Sequence, residues 1–138
     1  MKRETQRKKM YPAETINREH LETMVLRFYR KVLNDDVVGP FFIAKLGDDM
    51  ENEHWKPHIV QLVNFWSGMI LQDGSYEGNP LRPHFSLGEL THDTFKQWLK
   101  LFFETVDEVF VPKLGAEFKE RGEIIAGNFM RNLHIPFN

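Results

Sequence analysis

The sequence predicts an all-α domain, because apolar residues recur at helical spacing in four separate stretches of the chain. Steps of three and four residues place these side chains on one helix face, which is typical of a helix packed against a core. The chain has 138 residues, 41% of them hydrophobic, and this is enough for one core. We find neither a repeat nor a linker long enough to divide the chain into domains.

The first helix is predicted over about residues 18–33. Asn17 is suited to the N-cap, and Glu19 lies in the first turn, where a negative charge is favourable. The apolar positions trace one face: Leu21, Met24, Val25, Phe28, Tyr29 and Val32. Residues 34–36 end this helix, and residues 37–43 are predicted to form a turn followed by two aromatic residues.

The second helix is predicted over about residues 52–71, with Pro57 near its start, since proline is tolerated in a first turn. At about 100° per residue, His58, Leu62, Phe65 and Met69 fall within about 40° of one another. His58 is therefore expected to face the same way as the apolar stripe. Residues 72–91 contain repeated Gly and Pro, and a loop with one short helix around His84 is expected there.

The third helix is predicted over about residues 92–110, after Thr91 as its N-cap. Its apolar face comprises Phe95, Trp98, Leu99, Phe102, Val106 and Val109. The fourth follows Pro112, a residue suited to a first helical position, and carries Gly122 on its buried side. A glycine there either lets another element approach closely or has no role that the sequence reveals. Helical spacing alone fits a four-helix bundle and a globin equally.

Composition excludes several classes of protein and of site. A net charge of −2 argues against a nucleic-acid-binding surface, and the absence of cysteine excludes disulfides and thiolate metal sites. No apolar run approaches the length of a membrane span. Residues 1–14 are basic without a following apolar segment, so we expect a solvated extension before a domain at 15–138, and a cytoplasmic protein.

Two of the six histidines have the strongest case for a role in chemistry. His58 shares a face with apolar residues, and His84 lies in an irregular segment beside Pro83. Either imidazole could serve as an axial base to an iron. His54 with His58 could begin a zinc site, and Glu51-x-x-His54 has di-iron spacing, but neither pattern has the further ligands that it needs.

Two polar groups are expected inside the helical stripes. The Tyr29 hydroxyl and the Trp98 indole N–H each need an acceptor if they are buried. That acceptor is either a backbone carbonyl or a ligand held inside the core.

Several short blocks occur in an order that resembles the group III truncated haemoglobins from about residue 15 to residue 133. The blocks are Phe28-Tyr-Arg-Lys-Val32, Gly39-Pro-Phe-Phe42, Trp55-Lys-Pro-His58, Asn64-Phe-Trp66, Tyr76-Glu-Gly-Asn-Pro-Leu-Arg-Pro-His84 and Trp98-Leu-Lys-Leu-Phe102. The resemblance implies a truncated globin fold, in which two helices pack over two others around haem b. Without cysteine, that haem is expected to be held non-covalently.

The resemblance also assigns roles to eight residues. His84 matches the proximal metal ligand, and Tyr29, His58 and Trp98 match the distal positions, where His58 could gate, bond a water or bind the iron. The residues expected to hold the haem are Phe42, Leu62, Phe65 and Trp66. Apart from the resemblance, Arg82 is expected either to bind a haem propionate or to face solvent.

The implied function is binding of O2, NO or a related diatomic ligand. The resemblance suggests nitric oxide detoxification by dioxygenation, or handling of reactive oxygen and nitrogen species, with peroxidase-like chemistry also open. Turnover is expected to need an external reductase, because 138 residues leave no room for a flavin domain. A haem-based sensor or ligand store and a non-haem helical interaction module are the alternatives. Neither nucleic acid nor membrane is an expected partner.

Overall fold

The computed structural model describes residues 10–74 and 90–135. Within these ranges the chain forms five α-helices and no strand beyond an isolated bridge between Ala13 and Phe110. The helices are α1 (Arg18–Leu33), α2 (Gly39–Leu46), α3 (Trp55–Trp66), α4 (His92–Val109) and α5 (Pro112–Asn132). A π-helical turn, Ser67–Leu71, extends α3. The predicted short helix around His84 lies outside the described residues.

The bounds and the buried face of α1 are as predicted. The side chain of Asn17 accepts a hydrogen bond of 2.8 Å from the backbone N–H of His20, which satisfies one of the free donors at the helix start. All six apolar positions of the predicted stripe are buried, and His20 is buried with them. The spacing of apolar residues thus located α1 and its core face.

The helix α2 was not predicted, and the turn expected over residues 37–43 is wrong beyond residue 38. Pro40 lies at the beginning of the helix, where proline favours helix formation. A Cβ on Gly39 would lie 2.7 Å from the carbonyl oxygen of Val32, so glycine allows the close approach of α2 to α1. Two helical turns are too short to display a period in the sequence.

In α3, His58 lies on the same face as Leu62, Phe65 and Met69, as predicted, but this face is not the most buried one. The helix begins three residues later than predicted, and its buried side chains are Trp55, Ile59, Val63 and Trp66. The expected stripe of His58, Leu62, Phe65 and Met69 is only half-buried. Its middle members face a cavity, described below, which leaves them partly accessible.

The helices α4 and α5 match their predictions. Thr91 accepts from the backbone N–H of Thr94 at the start of α4, and Pro112 begins α5. Contacts join α1 to α3, α4 to α5, and α1 to α4. The fold is therefore two helices packed over two others, with α2 attached to α1.

The chain before α1 contacts the turn between α4 and α5. The N–H of Ala13 donates to the carbonyl of Val109 at 2.6 Å, and the N–H of Val111 donates to the carbonyl of Ala13 at 3.0 Å. Residues 1–9 lie outside the described part, and the division at residues 14 and 15 stays a prediction. No helix among the described residues has the length and the apolar content that crossing a membrane requires.

Candidate functional site

Tyr29 lies at the centre of an aromatic cluster between α1, α2 and α3. The centroid of its ring is 4.9 Å from that of Phe28, 5.4 Å from Phe42, 5.3 Å from Trp55 and 5.8 Å from His58. Only 3% of Tyr29 is exposed. This burial raises the pKa of the phenol well above its ordinary value, so the hydroxyl remains a hydrogen-bond donor.

An apolar cavity, partly open to solvent, lies between the two helical layers. Its walls come from α1, α3, α4 and α5. The lining residues are Met24, Val25, Phe28, Tyr29, Leu62, Phe65, Trp66, Trp98, Phe102, Ile125 and Phe129. Apolar walls of this kind are typical of a ligand-binding cavity.

Two of the lining residues carry a hydrogen-bond donor, the hydroxyl of Tyr29 and the indole N–H of Trp98. Among the described residues, none accepts a hydrogen bond from either group. Of the two acceptors considered from the sequence, the backbone carbonyl is therefore not found in the described part of the chain. Two donors beside an apolar cavity suit a ligand with a polar end.

Phe42 contacts Tyr29 but lines a second apolar cavity next to the first. Trp98 and Phe129 belong to the walls of both cavities. Trp98 therefore lies between the two spaces, with the ring of Phe28 edge-on to it at 5.4 Å between centroids.

His58 joins the Tyr29 cluster without lining either cavity. Its ring lies 5.5 Å from Trp55 in addition to its contact with Tyr29, and its Nε2 atom is buried. The structure thus brings Phe42 and His58 against Tyr29, and Trp98 shares a cavity wall with Tyr29 and another with Phe42. The distal roles expected of these residues stay predictions. His84 and Arg82 lie outside the described residues, so their predicted roles stay predictions.

No metal-binding group forms in the ranges that the structure describes. No set of three or more His, Asp or Glu side chains there is placed to hold an ion, so Glu51, His54 and His58 do not form one.

Comparison with known proteins identifies the fold family. The chain is 36% identical over 121 residues, 88% of its length and 94% of the relative's, to Group 3 truncated hemoglobin ctb of Campylobacter jejuni. It also matches the crystal structure of a group III truncated hemoglobin from Campylobacter jejuni, with a TM-score of 0.78 and 37% identity. That match covers 87% of this chain and 93% of the other. This chain belongs to the group III truncated haemoglobins. No protein-family model matches it.

In this truncated haemoglobin, half of the cavity wall received no functional role from the sequence. Met24, Val25 and Phe28 belong to the predicted core face of α1, and Phe102 to that of α4. A residue that lines a cavity and one that fills a core have the same periodicity, so spacing could not separate them. Trp55 also received no functional role from the sequence, although it belongs to the block Trp55-Lys-Pro-His58 that resembles the family. Its contact with the ring of Tyr29 is seen only in the structure.

Asp35, another residue that the sequence did not single out, links the α1–α2 connection to α4 beside Trp98. Its carboxylate accepts from the side-chain amide of Gln97 at 2.7 Å and from the backbone N–H groups of Val37 and Val38. Desolvation alone would raise the pKa of this carboxyl, but these hydrogen bonds and the charge of Lys100 hold it below its ordinary value. In this truncated haemoglobin the link stays charged at neutral pH.

Proposed function

We propose that the chain binds one haem b in the space between its two helical layers and uses it to bind O2, NO or a related small ligand. The family implies haem-based binding of small ligands, and the relative it matches is named a haemoglobin. The observation that carries the proposal is the apolar cavity whose lining residues include two with a hydrogen-bond donor, Tyr29 and Trp98. Haem supplies an iron atom to which a diatomic molecule can bind.

Four described residues are proposed to hold this group. Leu62, Phe65 and Trp66 line the larger cavity and Phe42 lines the smaller, so all four offer apolar surface to a flat macrocycle. The chain has no cysteine for a thioether bond, which supports non-covalent binding.

The two remaining contacts rest on the sequence. His84 is proposed from the resemblance as the proximal ligand of the iron, and Arg82, two residues before it, is proposed as the partner of a propionate. A ligating imidazole usually donates its second N–H to a nearby acceptor, which fixes the ring and strengthens the ligand.

Tyr29 and Trp98 are proposed to donate hydrogen bonds to the bound diatomic ligand. A ligand atom that carries negative charge accepts such bonds strongly, and the apolar surroundings weaken competition from water. The raised pKa of Tyr29 keeps its proton in place. His58 packs on the ring of Tyr29, which favours a role exerted through Tyr29.

Titration of the purified chain with haemin tests haem binding. A Soret band that grows to saturation at one equivalent, and a haem that acidified organic solvent extracts, are the expected results. A chain that leaves haemin in its free spectrum at every ratio would instead be a helical interaction module, and the proposal would be discarded.

The finer proposal is nitric oxide detoxification, in which NO, O2 and one electron combine to give nitrate. Two donors at the cavity favour retention of a polar ligand for reaction over its rapid release. The electron is proposed to come from a separate cytoplasmic reductase. With NO, O2 and a chemical reductant, we expect nitrate to exceed the haem concentration many times. Formation of a single equivalent would identify a sensor or store instead.

A further inference from the structure

Three aromatic rings lie nearly parallel beside the cavity, and we call Trp66, Phe102 and Trp98 the ring stack. The Phe102 centroid is 5.3 Å from that of Trp66, with 16° between the ring planes, and 5.6 Å from that of Trp98, with 10°. Phe28 is edge-on to both Phe102 and Trp98. Trp66 and Phe102 are buried, whereas Trp98 is only half-buried.

Gly122 of α5 lies directly against this stack. A Cβ at residue 122 would be 2.9 Å from both Cδ2 and Cε2 of Phe102, closer than real Cβ contacts come. Any side chain there must therefore displace the Phe102 ring. Because Trp66, Trp98 and Phe28 all pack on that ring, the displacement is passed to its neighbours in the stack.

Trp98 depends on these contacts for its orientation. Its indole N–H has no acceptor among the described residues, so hydrogen bonding within that part of the chain does not fix the ring. Its ring contacts there are with Phe28 and Phe102. A hydrogen bond weakens steeply with misalignment, so the direction of the N–H decides its strength.

We propose that Gly122 and Phe102 are positioning residues for Trp98. The missing side chain at 122 lets Phe102 lie deep between the layers, and parallel packing on Phe102 then sets the plane of the indole at the cavity. The effect on ligand binding rests on the proposed donor role of Trp98, whereas the effect on the indole itself does not.

The chain provides a matched control in Gly115. This glycine is also buried on α5, seven residues earlier on the same face, and its Cβ would lie 3.0 Å from Cγ1 of Val106. Val106 also belongs to α4 but is not part of the ring stack or the cavity wall. Gly115→Ala and Gly122→Ala gain the same helix propensity and crowd the same helix pair.

The test compares Gly122→Ala, Gly115→Ala and Trp98→Phe in the haem-loaded chain. We expect Gly122→Ala to speed O2 dissociation about tenfold or more, approaching Trp98→Phe. Gly115→Ala should leave this rate unchanged. Its free energy of unfolding, measured in urea, should change by an amount comparable with that of Gly122→Ala. The double variant Gly122→Ala/Trp98→Phe should be no faster than Trp98→Phe alone, because both changes act through one group.

A second readout follows the indole without haem. Near-ultraviolet circular dichroism of the haem-free chain, taken as the difference between the parent and its Trp98→Phe variant, reports the surroundings of Trp98. The same difference, taken with Gly122→Ala present in both chains, should be altered. Taken with Gly115→Ala present in both chains, it should not change. If Gly122→Ala fails to fold, Phe102→Leu takes its place, since it removes the packing ring without adding an atom.

The outcomes separate this inference from the proposed function. If Trp98→Phe leaves the dissociation rate unchanged, the donor role of Trp98 is wrong, and the difference spectrum alone decides whether Gly122 positions the indole. If Trp98→Phe speeds dissociation while Gly122→Ala changes neither rate nor spectrum, the positioning role is overturned. Equal changes in Gly115→Ala and Gly122→Ala would overturn it as well.

Discussion

Replacement of His84 by alanine is expected to cause the largest loss, that of firmly held haem. The bond from an axial imidazole is the strongest that the proposed arrangement offers to the iron. Without it, apolar contacts alone do not fix the position of the haem. The measurement is the Soret spectrum of the variant after haemin addition, together with the rate at which haem passes to a competing acceptor protein. We expect an altered spectrum and a transfer rate at least about tenfold faster, equivalent to about 1.4 kcal/mol of binding.

Two histidine variants serve as controls for this prediction. His54→Ala changes an exposed residue next to α3, and His92→Ala changes the first residue of α4; both should keep the parent spectrum and transfer rate. His58→Ala tests the other imidazole that the sequence left open as an iron ligand. Should His84→Ala keep its spectrum and hold haem as tightly as the parent, while His58→Ala loses it, the two assignments would be exchanged.

The sequence located the helices well where apolar spacing extended over several turns. In α1 and α4 the bounds and caps agree with the structure, because Asn17 and Thr91 carry side chains that satisfy backbone donors at a helix start. The short α2 escaped this reasoning, since eight residues give too few repeats. The most buried face of α3 lies one residue further along the chain than the predicted stripe, in which Leu62 and Phe65 line a cavity and stay partly accessible.

The candidate site was only partly open to sequence reasoning. Tyr29 and Trp98 could be singled out because a polar group in an apolar stripe needs an acceptor. The contact between Gly122 and Phe102 could not be predicted, since it depends on how α5 approaches α4. The hydrogen bond between Asp35 and Gln97 could not be predicted for the same reason. The two residues are 62 positions apart in the sequence, and only tertiary packing brings them together.

Removal of the hydroxyl of Tyr29 or the N–H of Trp98 is expected to speed the release of O2 from the haem-loaded chain. Tyr29→Phe keeps the ring and its contacts with Phe42 and Trp55, so the lost hydrogen bond dominates the result. A hydrogen bond to a charged acceptor contributes about 1.5–3 kcal/mol, which corresponds to a roughly 10- to 150-fold faster dissociation. Stopped-flow measurement of O2 displacement gives the rate for each variant.

The pH dependence distinguishes Tyr29 from an ionisable donor with an ordinary pKa. Burial disfavours the phenolate, so the neutral donor form persists above the ordinary phenol pKa of 10.0. The ratio of the Tyr29→Phe rate to the parent rate should therefore be constant from neutral pH up to that value. Tyr11, which is partly exposed and lies outside the cavity wall, provides the control in Tyr11→Phe, with unchanged dissociation. O2 dissociation rates equal to those of the parent in both Tyr29→Phe and Trp98→Phe would show that neither group holds the ligand. A ratio of the Tyr29→Phe rate to the parent rate that falls before pH 10 would show that the phenol ionises within the cavity.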